Sequence, residues 1–436
     1  MIEMLVAMGL FSLALIIASQ AFTKIISSSS KYAKIEETNI AGVVGLEIMR
    51  HDLEQMGFGL PWGWVSLDVT QDPPLVPSGL TYSEATDAQA ATLNDAPNGV
   101  PRAFVGLSAS GDCSAAFFSL KGTTAGRSLA GPANPAGSRA SQYWSYISYQ
   151  NYSANPRQSR AVKFASNNPS FNDNVLIINS SPSTPALDRM LVVKPGNNNA
   201  TAPSPPTFYT SFKADGSTDT NFLPANGNST YLVYDLLGNG DKTLGGTANP
   251  AGTTIDVPRM PFNRADYFLK KSGVPAYCDV STGTLFKAVV NQGSTGGDYD
   301  AIPLLDCVAD MEVVLGWDTS TTNPPDGSVG DYSSLPTTAG GAVNATGSAA
   351  GNVQAWLADP QGLREHLKVV KVYILAQEGR KDTGYTYPTA SIEVGDQVAD
   401  GGLSPKKLYT LTAAQRQYRW KLYRIIVRPK NLYSNS

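Results

Sequence analysis

The sequence predicts an α+β protein: a long N-terminal helical spine, hydrophobic at first and amphipathic later, carrying an antiparallel β-rich head enlarged by an inserted β subdomain. Three observations lead there. The first 22 residues, MIEMLVAMGLFSLALIIASQAF, carry a single charge, Glu3. No proline occurs before Pro61, so nothing forbids one continuous helix up to that point. From Pro61 onward, short apolar runs alternate with stretches rich in Gly, Pro, Ser, Thr and Asn, in a chain holding 40 glycines and 29 prolines. With 436 residues the chain exceeds one ordinary domain of about 150. Three segments are expected: a spine over 1–60, an inserted β-rich subdomain over 61–260, and a C-terminal β-sheet over 261–436.

Composition narrows the function. Charged residues make up 16%, below the roughly 25% of typical soluble domains. Lys plus Arg (33) nearly balance Asp plus Glu (36), so nucleic acid is not an expected partner. The two histidines, His51 and His366, leave little material for a His-based catalytic or zinc site. There is no Gly-x-Ser-x-Gly elbow, phosphate loop, His-Glu-x-x-His or Cys-x-x-Cys. Neither an enzyme nor a cofactor is expected.

Met4 to Thr23 is a run of 20 uncharged residues, enough at about 1.5 Å each to cover the roughly 30 Å of bilayer hydrocarbon. The first basic residues, Lys24, Lys31 and Lys34, all follow it. By the positive-inside rule the head of such a chain stays in the cytoplasm, whereas its low charge and Gly/Ser/Thr/Asn-rich loops suit export. A short basic leader preceding Met1 resolves that conflict, so the chain reads as a processed or truncated form. Beyond the run from Ser27 to Ser30, Tyr32, Ile35, Val43, Leu46, Met49, Leu53 and Met56 recur mostly every three or four residues and predict one buried face. Gly57, Gly59 and Pro61 supply the stop. A helix from Met1 to Met56 is about 84 Å long.

In the head, Ala103–Leu107, Ala116–Leu120, Tyr143–Tyr149, Val175–Ile178 and Tyr231–Leu236 read as strands, separated by loops such as 195–206 and 249–254. The strongest strand signals are Pro303–Trp317, Leu367–Gln377 and Tyr418–Arg428, expected to form an antiparallel sheet on the spine. Asn352–Leu357 is expected to be a short helix, and 329–348, rich in Gly, Ala, Ser and Thr, a mobile surface loop.

A carboxylate beside an apolar helix costs several kcal/mol, about, if buried unpaired, so Glu3 either sits at the headgroup boundary or finds a cation. Here the start, Met1-Ile2-Glu3-Met4-Leu5-Val6-Ala7-Met8, resembles that of type IV pilins and the related pseudopilins of type II secretion. The resemblance implies cleavage of a basic leader and N-terminal methylation by a prepilin peptidase, and pairing of Glu3 with the terminal amine of an adjacent subunit. Where the family usually has four residues before the glutamate, this chain has two: either two mature residues are absent or the register of the amine is shifted. The stretch Leu-Glu-Ile-Met-Arg-His-Asp-Leu-Glu-Gln-Met-Gly-Phe (46–58) resembles the spine of PilW-type minor pilins. It implies a structural subunit of a surface filament, inserted in the inner membrane before assembly, whose partners are other pilin subunits and the inner-membrane assembly machinery. An abundant main subunit, or an adhesin or DNA-uptake head on a pilin stalk, are the alternative readings.

Remaining candidates are few. Cys278 and Cys307 flank a hairpin-like unit and form the preferred disulfide, with Cys113 left over; such a bridge contributes about 3–4 kcal/mol by loop entropy. Asp235, Asn239 and Asp241 form a weak calcium candidate, since Gly246 stands where a bidentate glutamate belongs, and a plain β-turn is favoured. Asp318, Asp326 and Asp331 are a second set of loop carboxylates. Arg416, Arg419, Lys421, Arg424, Arg428 and Lys430, interleaved with Tyr418, Trp420 and Tyr423, could face DNA or anionic lipid, but a solvated strand face is the favoured reading.

Overall fold

A computed structural model describes residues 2–65, 84–85, 87–95, 99–108, 115–122, 146–154, 157–162, 174–180, 189–194, 208, 210–211, 230–235, 264–290, 299–321, 325–338, 343, 345, 350–400, 402, 405 and 407–432. Helix α1 (Ile2–Gln55) runs unbroken for 54 residues and ends in turns at Gly57 and Gly59, both with left-handed backbone (φ 84° and 69°) that glycine adopts at little cost.

The strands in chain order are β1 (Gly63–Val65), β2 (Phe104–Leu107), β3 (Phe117–Lys121), β4 (Tyr146–Ala154), β5 (Arg157–Val162), β6 (Asn174–Ser180), β7 (Met190–Val192), β8 (Thr210–Ser211) and β9 (Thr230–Asp235). They continue with β10 (Arg264–Lys270), β11 (Gly283–Val290), β12 (Tyr299–Trp317), β13 (Asp331–Ser334), β14 (Leu367–Glu378), β15 (Ser391–Glu393), β16 (Leu408–Thr410) and β17 (Arg419–Val427). Two short helices, α2 (Ala350–Ala358) and α3 (Pro360–His366), precede β14. Asp359 caps α3 by accepting the Gly362 N–H at 2.6 Å, with Pro360 in the first turn. That second helix was not expected from sequence.

The main sheet is antiparallel, in the order β17-β14-β12-β11-β10-β3-β2, with β13 added on β12. A second sheet has the order β1-β7-β6-β9-β4-β5, with β8 on β6; its β1–β7 pair is parallel. The strands expected over 103–107 and 116–120 thus join the C-terminal sheet rather than the second one. A two-stranded ribbon, β15-β16, stands apart.

From Leu304 onward β12, a strand of 19 residues, is sandwiched. Met311, Val313, Leu315 and Trp317 point into the core shared with α1, as do Val370, Val372, Ile374 and Ala376 of β14. On the opposite face Val314, Tyr373 and Leu375 meet Val394, Leu411, Tyr418 and Trp420 from the segment that follows β14. Burial on both faces explains why β12 and β14 read as near-continuous apolar runs. Two expectations need correction. Within 329–348, Asp331–Ser334 is a strand paired with β12, and Leu335 is buried. The segment is polar by composition, yet Ser333 accepts the Trp317 indole N–H at 2.8 Å, so this hydroxyl is satisfied inside. On α1, Leu46, Met49, Leu53 and Met56 are buried, but Val43 is 61% exposed. The reason is that the helix meets the sheet through glycine.

Candidate functional site

The first 22 residues of α1, Ile2–Thr23, have a mean hydropathy of 2.2 over their most apolar window, and none of that window is buried. Ile2, Met4, Phe11 and Phe22 are all more than 60% exposed. The few hydroxyls in this stretch bond back to their own helix: Ser12 donates to the Met8 carbonyl at 2.8 Å and Thr23 to that of Ser19 at 2.9 Å. These two hydroxyls therefore offer no free donor to an apolar surrounding. At about 33 Å the segment is long enough to cross a bilayer. Glu3 lies in the first turn and is exposed. A carboxylate there also faces the positive end of the helix dipole.

The other end of α1 is seated on the head. A Cβ added at Gly45 would lie 2.4 Å from the Leu304 carbonyl oxygen, and one at Gly42 3.1 Å from a Leu305 methyl. The helix backbone therefore rests directly on β12, with the Tyr423 side chain of β17 beside Gly42. Two turns further on, buried Asp52 accepts the Tyr267 hydroxyl at 2.6 Å and pairs with Lys287 Nζ at 2.5 Å, joining α1 to β10 and β11. Burial, reinforced by the Asp52 charge, pushes the Tyr267 phenol well above its usual range, so it stays a proton donor to Asp52. The chain's C-terminal segment closes the seat: the Lys430 N–H bonds to the Glu54 carbonyl at 2.9 Å, and Asn431 Nδ2 to that of Gln55 at 2.9 Å. Lys430 Nζ also reaches the Glu54 carboxylate at 2.7 Å, which holds that carboxyl below its usual range. Carbonyls left open at a helix end are thus capped by the last strand's extension.

Cys278 and Cys307 form a disulfide, with Cα atoms 5.1 Å apart, tying the β10–β11 connection to β12. Cys307 has a left-handed backbone (φ 57°), and the β12–β14 register shifts between Val308 and Asp310, so a bulge sits beside the bridge. Cys113, Asn239 and Asp241 lie outside the described residues; Asp235 ends β9. Asp318, Asp326 and Asp331 do not gather around one point. Asp318 accepts from Ser320 and Gly327, Asp326 from the Ser328 N–H, and Asp331 from the Tyr332 N–H. Among the described residues no group of three His, Cys, Asp or Glu side chains could hold a metal ion.

The basic C-terminal strand is largely neutralised. Arg419 pairs with Asp382, Lys421 with Glu378, Arg424 with Asp396, and Arg416 donates to the Tyr387 carbonyl. A face built for phosphate would leave such charges free.

Sequence reading missed a buried ion network. Lys121 contacts Glu84 at 2.9 Å and Asp95 at 2.5 Å, Arg264 contacts Glu84 at 2.5 Å and Asp266 at 2.8 Å, and Arg102 contacts Asp95 at 2.7 Å. Three cations face three carboxylates, so the charges balance and Glu84, Asp95 and Arg102 are pinned to β3 and β10. Only Arg264 and Asp266, two apart on one strand face, left a local signal.

The described chain thus joins an exposed apolar helix to an antiparallel β head, which is a pilin-like architecture; the helix suits membrane insertion or export, and the disulfide an extracytoplasmic head. No known protein family, curated protein or solved structure matches the chain.

Proposed function

We propose that this chain is a structural subunit of a type IV pilus-like surface filament, a PilW-like minor subunit that initiates assembly or sits at the tip. The observation that carries this reading is the continuity of α1: one rigid element holds a fully exposed apolar segment at one end and is clamped into the head at the other. Each exposed Leu, Ile, Met or Phe covered by lipid or by a neighbouring helix gains about 1.5–3 kcal/mol. The helix therefore exchanges membrane for the apolar segments of other pilin subunits during assembly. Glu3 sets the register by pairing with a neighbour's terminal amine, since an unpaired carboxylate inside such a bundle is costly. Prepilin peptidase and the inner-membrane machinery act before that step. The chain works by assembly, not catalysis.

The test is Glu3→Ala, with Glu3→Gln to separate charge from size. Both variants are expected to insert in the membrane as the wild type does, and both to be depleted from filaments sheared off cells. Normal incorporation of either variant refutes the role of Glu3. Counting the wild-type chain against other pilin-like proteins in the same filaments decides the subunit's rank: a trace level fits an initiating or tip subunit, and dominance a building block.

A further inference from the structure

Where α1 ends, a cavity of about 180 Å³ opens between the two sheets, walled by Phe58, Leu60 and Ile178 with Arg189 and Asn431 as its polar side chains. Arg189 carries a left-handed backbone (φ 55°), a conformation uncommon outside glycine, and its carbonyl accepts the Trp62 N–H at 2.9 Å. Its guanidinium lies 5.7 Å from the centre of the Trp62 ring. The Arg364 guanidinium of α3 lies at the same distance from the same ring. Arg364 is buried: Nη2 donates to the Pro61 carbonyl at 2.6 Å, while Nη1 has no hydrogen-bond partner. Neither arginine pairs with a carboxylate among the described residues; Asp359, the acid that acts on Arg364, is engaged in capping α3. Burial, together with the Arg189 charge, pushes Arg364 down to about 9. Two guanidiniums therefore flank one indole, neither paired with a carboxylate among the described residues, and of the two Arg189 lines the partly apolar cavity.

We propose that this cavity binds an oxyanion, a carboxylate or phosphate carried on a compact soluble molecule, with Arg189 making the direct contact and Arg364 adding positive potential beside Trp62. The volume is below the roughly 300 Å³ at which drug-sized pockets begin, and suits one sugar acid or something smaller. A lipid headgroup is out of reach: Gln55 lies about 48 Å along the helix beyond Thr23, where the apolar segment ends. Guanidinium groups favour carboxylate and phosphate through paired N–H donors.

The experiment is calorimetric titration of the full-length chain in detergent micelles with galacturonate, its neutral counterpart galactose, and inorganic phosphate, all at matched ionic strength. Saturable binding of an anion, with none for galactose, is the expected result. Tighter binding of galacturonate points to a sugar acid as the source, and tighter binding of phosphate to a phosphorylated one. Arg189→Gln should weaken binding about tenfold or more, and Arg189→Lys, which keeps the charge, by less. No binding of either anion, equal binding of galactose, or unchanged affinity in a folded Arg189→Gln protein overturns the proposal.

Discussion

Three glycines on one helix make a graded experiment, because their surroundings differ while their chemistry does not. Gly→Ala in a helix interior favours folding by about 1 kcal/mol through propensity alone. At Gly9 the added methyl meets nothing within 4 Å. At Gly42 it comes to 3.1 Å from a Leu305 methyl, which can rotate away. At Gly45 it lies 2.4 Å from the backbone oxygen of Leu304 in β12, and a main-chain atom cannot rotate away as a side-chain methyl can. Normal contact needs roughly 1 Å more, so α1 must lift from β12 and loosen Leu46 and Met49. Overpacking of this kind costs about 1–3 kcal/mol. With a backbone atom only 2.4 Å away the cost belongs in the upper half of that range, about 2–3 kcal/mol, so after the propensity gain Gly45→Ala should be less stable by about 1–2 kcal/mol, Gly42→Ala near neutral, and Gly9→Ala unchanged in the head's unfolding. Urea titration of the full chain in micelles, followed by tryptophan fluorescence, reads this as a lower midpoint, by a few tenths of a molar to about 2 M for slopes of about 1–3 kcal/mol per molar. A Gly45→Ala protein at least as stable as wild type would show that α1 does not rest on β12 as described.

Two further outcomes are expected. Replacing Cys278 and Cys307 together by serine should cost about 3–4 kcal/mol, from the entropy of a 29-residue loop, and should make the urea midpoint indifferent to reductant; an unchanged midpoint in the variant would refute this. On the outer face of β12, Lys407 bridges Asp310 and Glu312 at 3.0 and 2.9 Å; burial pushes both carboxyls up, and the lysine only partly offsets it. Their folded values exceed their unfolded ones, so the stability they add is full below about pH 4 and is lost as pH rises through the raised values. Asp310→Asn with Glu312→Gln should flatten that acid-side slope of stability against pH, and a slope identical to wild type would count against the assignment.

What could be read from sequence was what neighbours along the chain decide. The spine showed itself by the lack of proline and by its stop at Gly57, and β12 and β14 by apolar runs that two covered faces demand. Val43 was misjudged because a search for apolar spacing passes over glycine, and Gly42 and Gly45, not a hydrophobic side chain, define the contacting face there. The strand at Asp331 was hidden because its burial rests on a hydroxyl accepting from Trp317 rather than on apolar residues. The ion network joins Lys121 to Glu84 and Arg264 to Glu84 across 37 and 180 positions. Arg189 and Arg364, the two arginines beside Trp62, likewise come from distant parts of the chain. Such pairings follow from topology, and no local pattern encodes them.

The seat of α1 also has a mechanical meaning. Between Gly42 and Met56, about 21 Å of helix, the element bears on β12, β14 and β17, three neighbouring strands, and is tied at its last turn by the chain's own C-terminal segment. Tension along the helix is therefore shared at once among the glycine contact, the Asp52 bonds and the C-terminal tie, with no single fastening exposed to be peeled first. A load shared in parallel fails only when its anchors yield together. The head is held to its shaft in the way a part meant to be pulled upon would be.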